Sequence, residues 1–335
     1  MRKYLLPEDG KFYKANLHSH STVSDGLWTP EEMKSEYIKE GYSIIAYTDH
    51  NLMVTHNELT DDNFLALNGI EFGVNNIVDN KPSYKMRKNC DICMIALKPD
   101  NDIQPCWDKG TVVPDEYKSL VKFDETKPNF KMEYKPEVIN AMILEGKKCG
   151  FFVTHNHPMW SREEYTDYIQ YENMDAMEIY NHGSACSGHD EHNAKIYDEQ
   201  LRKGKRLYCI ATDDNHNKSG RVSDSFGGFT MIKSKELKYE AITEALVNGN
   251  FYASEGPIIN ELYFEDGKVF ITTEPAKEIY ITKCGKNLGK VQADKELVTS
   301  ACFNIDSDDE YFFITVVGAD GKKAYTNAYY PIDLF

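Results

Sequence analysis

The sequence has no hydrophobic run that approaches the length of a transmembrane helix. The segment from Met1 to Lys14 is polar, is interrupted by Pro7, and lacks the apolar stretch of a signal peptide. No internal repeat with a period of roughly twenty to fifty residues is present, which excludes solenoid and propeller architectures. We therefore expect a globular, cytoplasmic protein that does not associate with membranes.

Positive charge is also scarce, since 38 Lys and Arg residues face 54 Asp and Glu residues and give a formal net charge of −16. A field of this sign repels nucleic-acid backbones and acidic membrane surfaces. Bound metal cations can reverse such a field locally. The expected partner is a small phosphorylated substrate or a short nucleotide, and long nucleic acid is excluded.

The eight cysteines do not follow the spacing of a disulfide framework, and a chain of 335 residues does not need one. Cys90 and Cys93 form the only close pair. Two thiols beside a strand explain this pair better than a redox or zinc motif does. Reduced thiols agree with the expected cytoplasmic location.

Buried strands alternate with helices over the first three quarters of the chain, which predicts a parallel sheet. Thr29, Pro30 and Glu32 form a capping box at the start of the first predicted helix. Seven strands are predicted, and six of them end in His, Asp or Glu. This pattern favours a closed or nearly closed barrel with its site at the carboxyl ends of the strands.

The residues at these strand ends have the chemistry of metal ligands. In the first segment, His18 and His20 alternate on one face of an extended chain, and Asp25 follows five residues later. Imidazole and carboxylate together suit zinc, manganese or iron, and a carboxylate such as Glu71 can bridge two ions. Two or more cations bound by such ligands are typical of enzymes that hydrolyse phosphate esters. The candidate ligands are His18, His20, Asp25, His50, Glu71, His157, Asp214 and His216.

The pattern changes near Ile258, where strand-like runs follow one another without helices between them. Asp266-Gly267 and Asp320-Gly321 are typical hairpin turns. We predict two domains, a hydrolase domain over residues 1–256 and a small β-sandwich over residues 257–335. The sandwich contains no catalytic cluster, and we expect it to contact a partner, a carbohydrate or a second copy of the chain.

Five motifs in order resemble the polymerase and histidinol phosphatase (PHP) family over roughly residues 12 to 256. They are His-x-His followed by Ser-Asp-Gly, then Thr-Asp-His, Gly-Ile-Glu, His-Pro and Asp-x-His. The resemblance implies a distorted seven-stranded (β/α)7 TIM-like barrel that holds two or three divalent metal ions and hydrolyses phosphoesters. The C-terminal segment resembles the small all-β, Ig-like sandwich of some stand-alone members.

The resemblance also implies how the ligands divide between ions. His18, His20, Glu71 and Asp214 would hold one ion, Asp25, His50 and His216 another, and Glu71 would bridge to a third ion at His157. Asp25, His50 and Glu71 are the expected catalytic residues.

The sequence departs from the family pattern at one point. Many members place a histidine on the fourth strand, whereas this chain has Asp91 and Cys93 there and no histidine between His56 and His155. Cys93 could act as a thiolate ligand, but a buried cysteine that packs like a small apolar residue is the favoured interpretation.

Several neighbouring residues leave alternatives open. His155, Asp213 and Asp49 could orient ligands, or the two carboxylates could cap a turn or helix. Arg221, Lys218 and Arg162 are cations near strand ends, and Arg221 is the candidate phosphate contact because arginine matches phosphate geometry better than lysine does. His182 is a second candidate substrate-binding residue, which could instead ligate a metal, donate a proton or be a hydrogen-bonded structural histidine. Residues 98–135 form either a lid or a surface insertion. The alternative functions are hydrolysis of a non-phosphate ester or amide, and metal or ligand binding without turnover.

Overall fold

A computed structural model describes residues 2–76, 88–218, 224–286 and 288–335. Its helices are α1 (Pro30–Lys39), α2 (Pro136–Lys148), α3 (Tyr165–Tyr168), α4 (His182–Cys186), α5 (Ala194–Arg202) and α6 (Tyr239–Val247). The strands of the first three quarters of the chain are β1 (Lys3–Tyr4), β2 (Lys11–Asn16), β3 (Ile44–Tyr47), β4 (Leu65–Asn75), β5 (Asn89–Ala96), β6 (Ile103–Gln104), β7 (Lys122–Phe123), β8 (Phe151–Asn156), β9 (Ala176–Asn181), β10 (Tyr208–Thr212), β11 (Phe229–Ser234) and β12 (Phe251–Ser254). The remaining strands are β13 (Ile259–Glu265), β14 (Lys268–Ala276), β15 (Glu278–Lys283), β16 (Gly289–Gln292), β17 (Val298–Asn304), β18 (Phe312–Val317) and β19 (Lys323–Thr326).

The fold is a mixed α/β structure built on one large sheet. Its strand order is β10-β9-β8-β5-β4-β3-β2-β11-β12-β19-β18-β15-β16. The predicted seven-strand barrel is not confirmed, because in the described chain β10 and β16 lie at the two ends of an open sheet. The sheet continues from β2 through β11 and β12 into the C-terminal strands, and these pairings are antiparallel.

The predicted parallel sheet is interrupted at β5, which runs antiparallel to both β4 and β8. The pairs β2–β3, β3–β4, β8–β9 and β9–β10 are parallel as predicted. Parallel neighbours need a long crossover connection, usually a helix, and no helix is described between β4 and β5.

Loops bring β10, at one end of the sheet, close to the interior strand β2, although the two strands are not paired. His20 N donates to Asn215 O at 3.1 Å, and Asp214 N donates to His18 O at 3.0 Å. The Thr230 hydroxyl of β11 also bridges to the backbone of Ala211 in β10. The segments after β2 and β10, which carry the predicted ligands, are therefore neighbours.

Helix α1 begins as predicted, with the Thr29 side chain accepting from Glu32 N and the Glu32 carboxylate accepting from Thr29 N. Its inner face buries Met33 and Tyr37. The Tyr37 hydroxyl donates to Asp213 at 2.8 Å, so this helix reaches the loop after β10.

The C-terminal strands form a sandwich with its own apolar core. A second sheet of order β1-β13-β14-β17 faces the strands β19, β18, β15 and β16. Inward-facing residues alternate along the strands, as in β15 where Ile279 and Ile281 are buried. The N-terminal strand β1 belongs to this sandwich, and the pairing of β12 with β19 joins it to the large sheet. Its Ig-like character remains a prediction.

The segment of residues 98–135 contains the short parallel pair β6–β7 and otherwise irregular backbone. Val121 packs with Val23 and Leu52, which lie in loops that carry predicted ligands. The Tyr117 hydroxyl donates to Thr22 O at 3.0 Å. The segment therefore contacts the site loops. Over the described residues, every helix is too short or too polar to cross a bilayer.

Candidate metal centre

All the described strands that carry predicted ligands place them at one edge of the large sheet. His18 and His20 follow β2, His50 follows β3, His157 follows β8, and Asp214 and His216 follow β10. Glu71 was predicted at a strand end, whereas it lies inside β4, which continues to Asn75. A bridge between His50 and Glu71 aligns that part of β4 with the loop after β3.

Four predicted ligands converge in the buried centre of this edge. The Nε2 atoms of His18 and His20 are 3.1 Å apart, and Asp214 Oδ1 lies 3.3 Å from the first and 3.0 Å from the second. Glu71 approaches the same two nitrogens at 3.2 and 3.4 Å. The structure thus brings together His18, His20, Glu71 and Asp214, the set that the resemblance assigns to one ion.

A second group lies beside the first and is more exposed. Asp25 Oδ1 is 3.7 Å from His50 Nε2 and 3.3 Å from His216 Nε2. The His20 ring stacks between those of His50 and His216, with centroids 4.3 Å from each. Donor atoms of His20, Asp25, His50 and His216 all lie within 4.8 Å of one another.

His157 contributes on the third side of the centre. Its Nε2 atom is 3.2 Å from Glu71 Oε1 and 3.7 Å from Asp214 Oδ2. Its backbone φ of 27° lies in the left-handed region, which is strained for a non-glycine residue. Glu71 therefore contacts members of all three predicted ligand groups.

These residues fit divalent cations on two observations. Glu71 Oε2 is buried without a hydrogen-bond partner. Its ion-pair contact, His50 Nδ1 at 2.8 Å, belongs to another predicted ligand. The close approach of the His18 and His20 Nε2 atoms also leaves at most one proton between two lone pairs. Buried unpaired acceptors of this kind are costly unless a cation binds them.

Electrostatics in the centre point the same way. Burial, followed by the neighbouring His50 and His216, lowers the pKa of His20 to about 3, which keeps this imidazole neutral. Burial alone would lower the pKa of His50, but Glu71 and Asp25 raise it to about 9. The carboxylates thus draw positive charge into the site, and histidines ligate metals in the neutral form.

Glu178 is the main residue that sequence reasoning missed. It is fully buried in β9, and its Oε1 atom lies 2.8 Å from His18 Nδ1. The same carboxylate accepts hydrogen bonds from the Thr212 hydroxyl, the Asn181 amide and the backbone N–H of His157. This contact directs His18 Nε2 toward the centre. The available signal was an acidic residue inside an otherwise apolar strand.

Asp49 and Asp213 are buried, and both accept hydrogen bonds from the backbone of loops beside the site. Asp49 accepts from the backbone N–H and the hydroxyl of Ser21 and of Ser24, within the loop that joins His20 to Asp25. Asp213 accepts from the backbone N–H groups of residues 226–228 and from Tyr37. Asp49 therefore fixes backbone between two predicted ligands, whereas Asp213, which precedes Asp214, ties the loop after β10 to the backbone that leads into β11.

The two fourth-strand candidates lie beside predicted ligands, and donor atoms of Cys93, His18 and Glu71 all lie within 4.8 Å of one another. Cys93 Sγ accepts from the Asn156 amide at 2.9 Å beside His18 Nδ1, and burial raises the pKa of this thiol to about 12. Asp91 Oδ2 lies 3.7 Å from His157 Nδ1, on the side away from Glu71. His155 points to the opposite face of β8 and contacts Glu163.

A cavity of about 490 Å³ opens in front of the centre. Asp25, His50, Glu71 and Lys218 line it, and Lys218 Nζ lies 2.5 Å from Asp25 Oδ2. His182 contacts the Tyr180 hydroxyl at 3.0 Å and is not among the lining residues. Arg162 is exposed and also lies outside this lining, and Arg221 lies outside the described residues. Among the described cations, Lys218 therefore fits the predicted phosphate contact better than Arg162.

Neither a family model nor a curated protein matches the chain. Solved structures similar to it include a two-domain protein from Bacteroides vulgatus, described as containing a predicted PHP-like metal-dependent phosphoesterase. That likeness has 16% identity and a TM-score of 0.44, and it covers 98% of each chain.

Two further structures are similar over less of this chain. One, from Bifidobacterium adolescentis, is described as a candidate metal-dependent phosphoesterase, with 15% identity and a TM-score of 0.41 over 73% of this chain and 98% of the other. The second is an amidohydrolase from Chromobacterium violaceum with bound sulfate and no metal, with 15% identity and a TM-score of 0.37 over 62% and 89%. The description of the Bacteroides protein names the PHP family, which is also the family that the motifs of this chain resemble.

Proposed function

We propose that this protein is a metal-dependent phosphoesterase that hydrolyses a phosphomonoester or phosphodiester of a small metabolite or short nucleotide. The observation that carries the proposal is the convergence of imidazole and carboxylate groups around the buried Glu71 at the floor of an open cavity. Two or three divalent cations of zinc, manganese or iron would polarise the phosphoryl group and lower the pKa of a water molecule. The candidate ligand groups are His18, His20, Glu71 and Asp214; Asp25, His50 and His216; and Glu71 with His157.

The residues of the chain itself divide the remaining work. Glu71 is fully buried and contacts members of all three ligand groups, so its role is to fix the positions of these groups relative to one another. Asp25 and His50 are 44% and 38% exposed and face the cavity, where they can contact both a substrate and solvent. Lys218 beside Asp25 supplies a positive charge at the cavity wall for a phosphate oxygen.

The size and charge of the site favour small substrates. The cavity of about 490 Å³ suits a metabolite or a short nucleotide. The acidic chain as a whole repels a long nucleic acid. We further propose a cytoplasmic location, in keeping with eight free thiols, and contact of the sandwich with a partner or a second copy.

The experiment is elemental analysis of the purified chain together with release of phosphate from generic phosphomonoesters and of alcohol from phosphodiesters, with added manganese or zinc. We expect two or more metals per chain, and turnover lost in Asp25→Ala and His50→Ala. Asp308→Ala, an exposed aspartate of the sandwich, is the matched control and should retain activity.

Two alternatives are separate outcomes of this experiment. Metals without hydrolysis of a phosphate ester would contradict the proposal and direct attention to carboxylic esters and amides. Metal binding without any turnover would identify a binding protein, which is the alternative raised by the unusual Asp91 and Cys93.

A further inference from the structure

A second cluster of ligand-type side chains lies on the other face of strands β5 and β8. Its members are Cys90, His155 and Glu163, whose donor atoms all lie within 4.8 Å of one another. Cys90 and His155 are fully buried, and Glu163 is 6% exposed. Nothing in the proposed phosphoesterase reaction uses these three residues.

The topology separates this cluster from the metal centre. Side chains alternate across a strand, so Asn156 faces His18 while its neighbour His155 faces the outer layer. His155 pairs with Ile92 in the register of β5 and β8, and Cys90 lies two residues from Ile92 on the same face. Two adjacent strands thus place a thiol and an imidazole together.

The third member comes from the turn that follows β8. Glu163 N donates to Pro158 O, and Ser161 N donates to His157 O, which closes the turn. The Glu163 carboxylate returns to the strand, with Oε2 2.5 Å from His155 Nε2. Its other oxygen accepts from the Tyr171 hydroxyl at 2.7 Å and lies 3.5 Å from that of Tyr134.

His155 carries the observation that points to a ligand. Its Nδ1 atom is buried and has no hydrogen-bond partner, whereas its Nε2 atom contacts Glu163. The unpaired Nδ1 leaves this buried imidazole without its full set of hydrogen bonds. A cation shared with Cys90 and Glu163 would bind the other nitrogen, Nε2, in place of its hydrogen bond with Glu163. Thiolate, imidazole and carboxylate together are the donor set of zinc-class cations.

We propose that Cys90, His155 and Glu163 bind a divalent cation of the zinc class at a structural site distinct from the metal centre. Binding displaces the thiol proton of Cys90 to solvent. The cation ties β5, β8 and the turn of residues 157–163 together, and this turn carries His157. The inference does not rest on the proposed phosphoesterase activity.

Cobalt tests this site because a thiolate bound to Co²⁺ gives a strong near-ultraviolet charge-transfer band, whereas imidazole and carboxylate ligands do not. The full chain is stripped with a chelator and titrated with Co²⁺. We expect the band in the wild-type chain, its loss in Cys90→Ser, and its retention in the matched variant Cys93→Ser. Asp25→Asn, a change in the metal centre, should also retain it.

Each other outcome overturns the proposal. Loss of the band in Cys93→Ser but not in Cys90→Ser would place the thiolate in the metal centre. The absence of a band in the wild-type chain would leave a hydrogen-bonded polar cluster without a cation. If Cys90→Ser fails to fold, X-ray absorption spectroscopy of the cobalt-loaded Cys93→Ser chain tests the proposal instead. The proposal requires that a bound cobalt ion in this variant still has a sulfur ligand, from Cys90. A chain that releases no phosphate would still give these cobalt results, so the experiment tests the structural site separately from the proposed phosphoesterase activity.

Discussion

Glu178 Oε1 lies 2.8 Å from His18 Nδ1, and both side chains are completely buried. A carboxylate that accepts from the outer nitrogen of a ligand histidine fixes its tautomer and directs the other nitrogen to the metal. Glu178 also accepts from the backbone N–H of His157, so one carboxylate positions parts of two predicted ligand groups.

We expect Glu178→Gln to weaken metal binding by roughly 10- to 100-fold, the usual cost of losing such a partner. The amide can keep its oxygen toward His18 only by turning its hydrogens to the donors of Asn181 and of the His157 backbone, which the carboxylate accepts from. Isothermal titration of the stripped chain with Mn²⁺ or Zn²⁺ measures the change. Glu296→Gln, at an exposed position of the sandwich, is the control and should bind as the wild type does. Unchanged affinity in Glu178→Gln would show that His18 is oriented without this contact.

Asp49→Asn should lower the free energy of unfolding by about 1–3 kcal/mol, the cost of leaving buried polar groups unsatisfied. Asp49 is 2% exposed and accepts four hydrogen bonds from Ser21 and Ser24, and an amide cannot accept all of them. The same change should loosen the loop between His20 and Asp25 and reduce metal binding. Urea unfolding of the stripped chain measures the first effect, and a variant as stable as the wild type would contradict it.

The order of the ligand motifs along the chain was predictable because each motif depends on local sequence. The capping box at Thr29, the buried strand before His50 and the polar residues after most strands all follow from short patterns. Which strands are neighbours depends instead on distant pairing. No local sequence pattern shows that β5 pairs antiparallel with β4, or that the sheet continues through β11 and β12. Glu71 was misplaced for this reason, because pairing with β5 extends β4 beyond it.

Glu178 and the Cys90 cluster show the same limit at the level of side chains. Both depend on which face of a buried strand a residue occupies, and a strand buried on both faces has no alternation to reveal it. The positions of the fourth-strand residues likewise emerge only from the fold, since Cys93 lies near His18 and Glu71 and Asp91 lies beside the outer nitrogen of His157.

Gly228→Ala should destabilise the protein strongly, by about 1–3 kcal/mol or more. A β-carbon at this position would lie 2.1 Å from Thr212 O, a backbone atom that cannot move aside cheaply. Gly228 N also donates to Asp213, so the shift should disturb the loop that carries Asp214. Thermal unfolding measures the effect. Gly285→Ala is the matched control, because its β-carbon would meet no atom within 4 Å. Equal stability of the two variants would contradict this close approach.

The pair His192–Glu255 predicts a pH-dependent contribution to stability. His192 Nε2 lies 2.9 Å from Glu255 Oε1, and this hydrogen bond raises the pKa of His192 above its ordinary value. Glu255 stands at the junction with the sandwich, directly after β12. Because the folded state binds this proton more tightly than the unfolded state, the contribution is fully present below the unfolded pKa of about 6.5. It is lost as the pH rises through the higher pKa of the folded state.

We therefore expect His192→Asn to be less stable than the wild type at about pH 5.5, by at most about 1 kcal/mol because the pair is partly exposed. The difference should shrink toward zero at about pH 9, where the wild-type imidazole is neutral as well. Urea unfolding of both chains at a series of pH values measures it, and Glu255→Gln should remove the same pH dependence. A difference that stays constant across this range would mean that His192 contributes by packing. A difference that grows with pH would mean that the folded state lowers the pKa of His192, the reverse of what its contact with Glu255 requires.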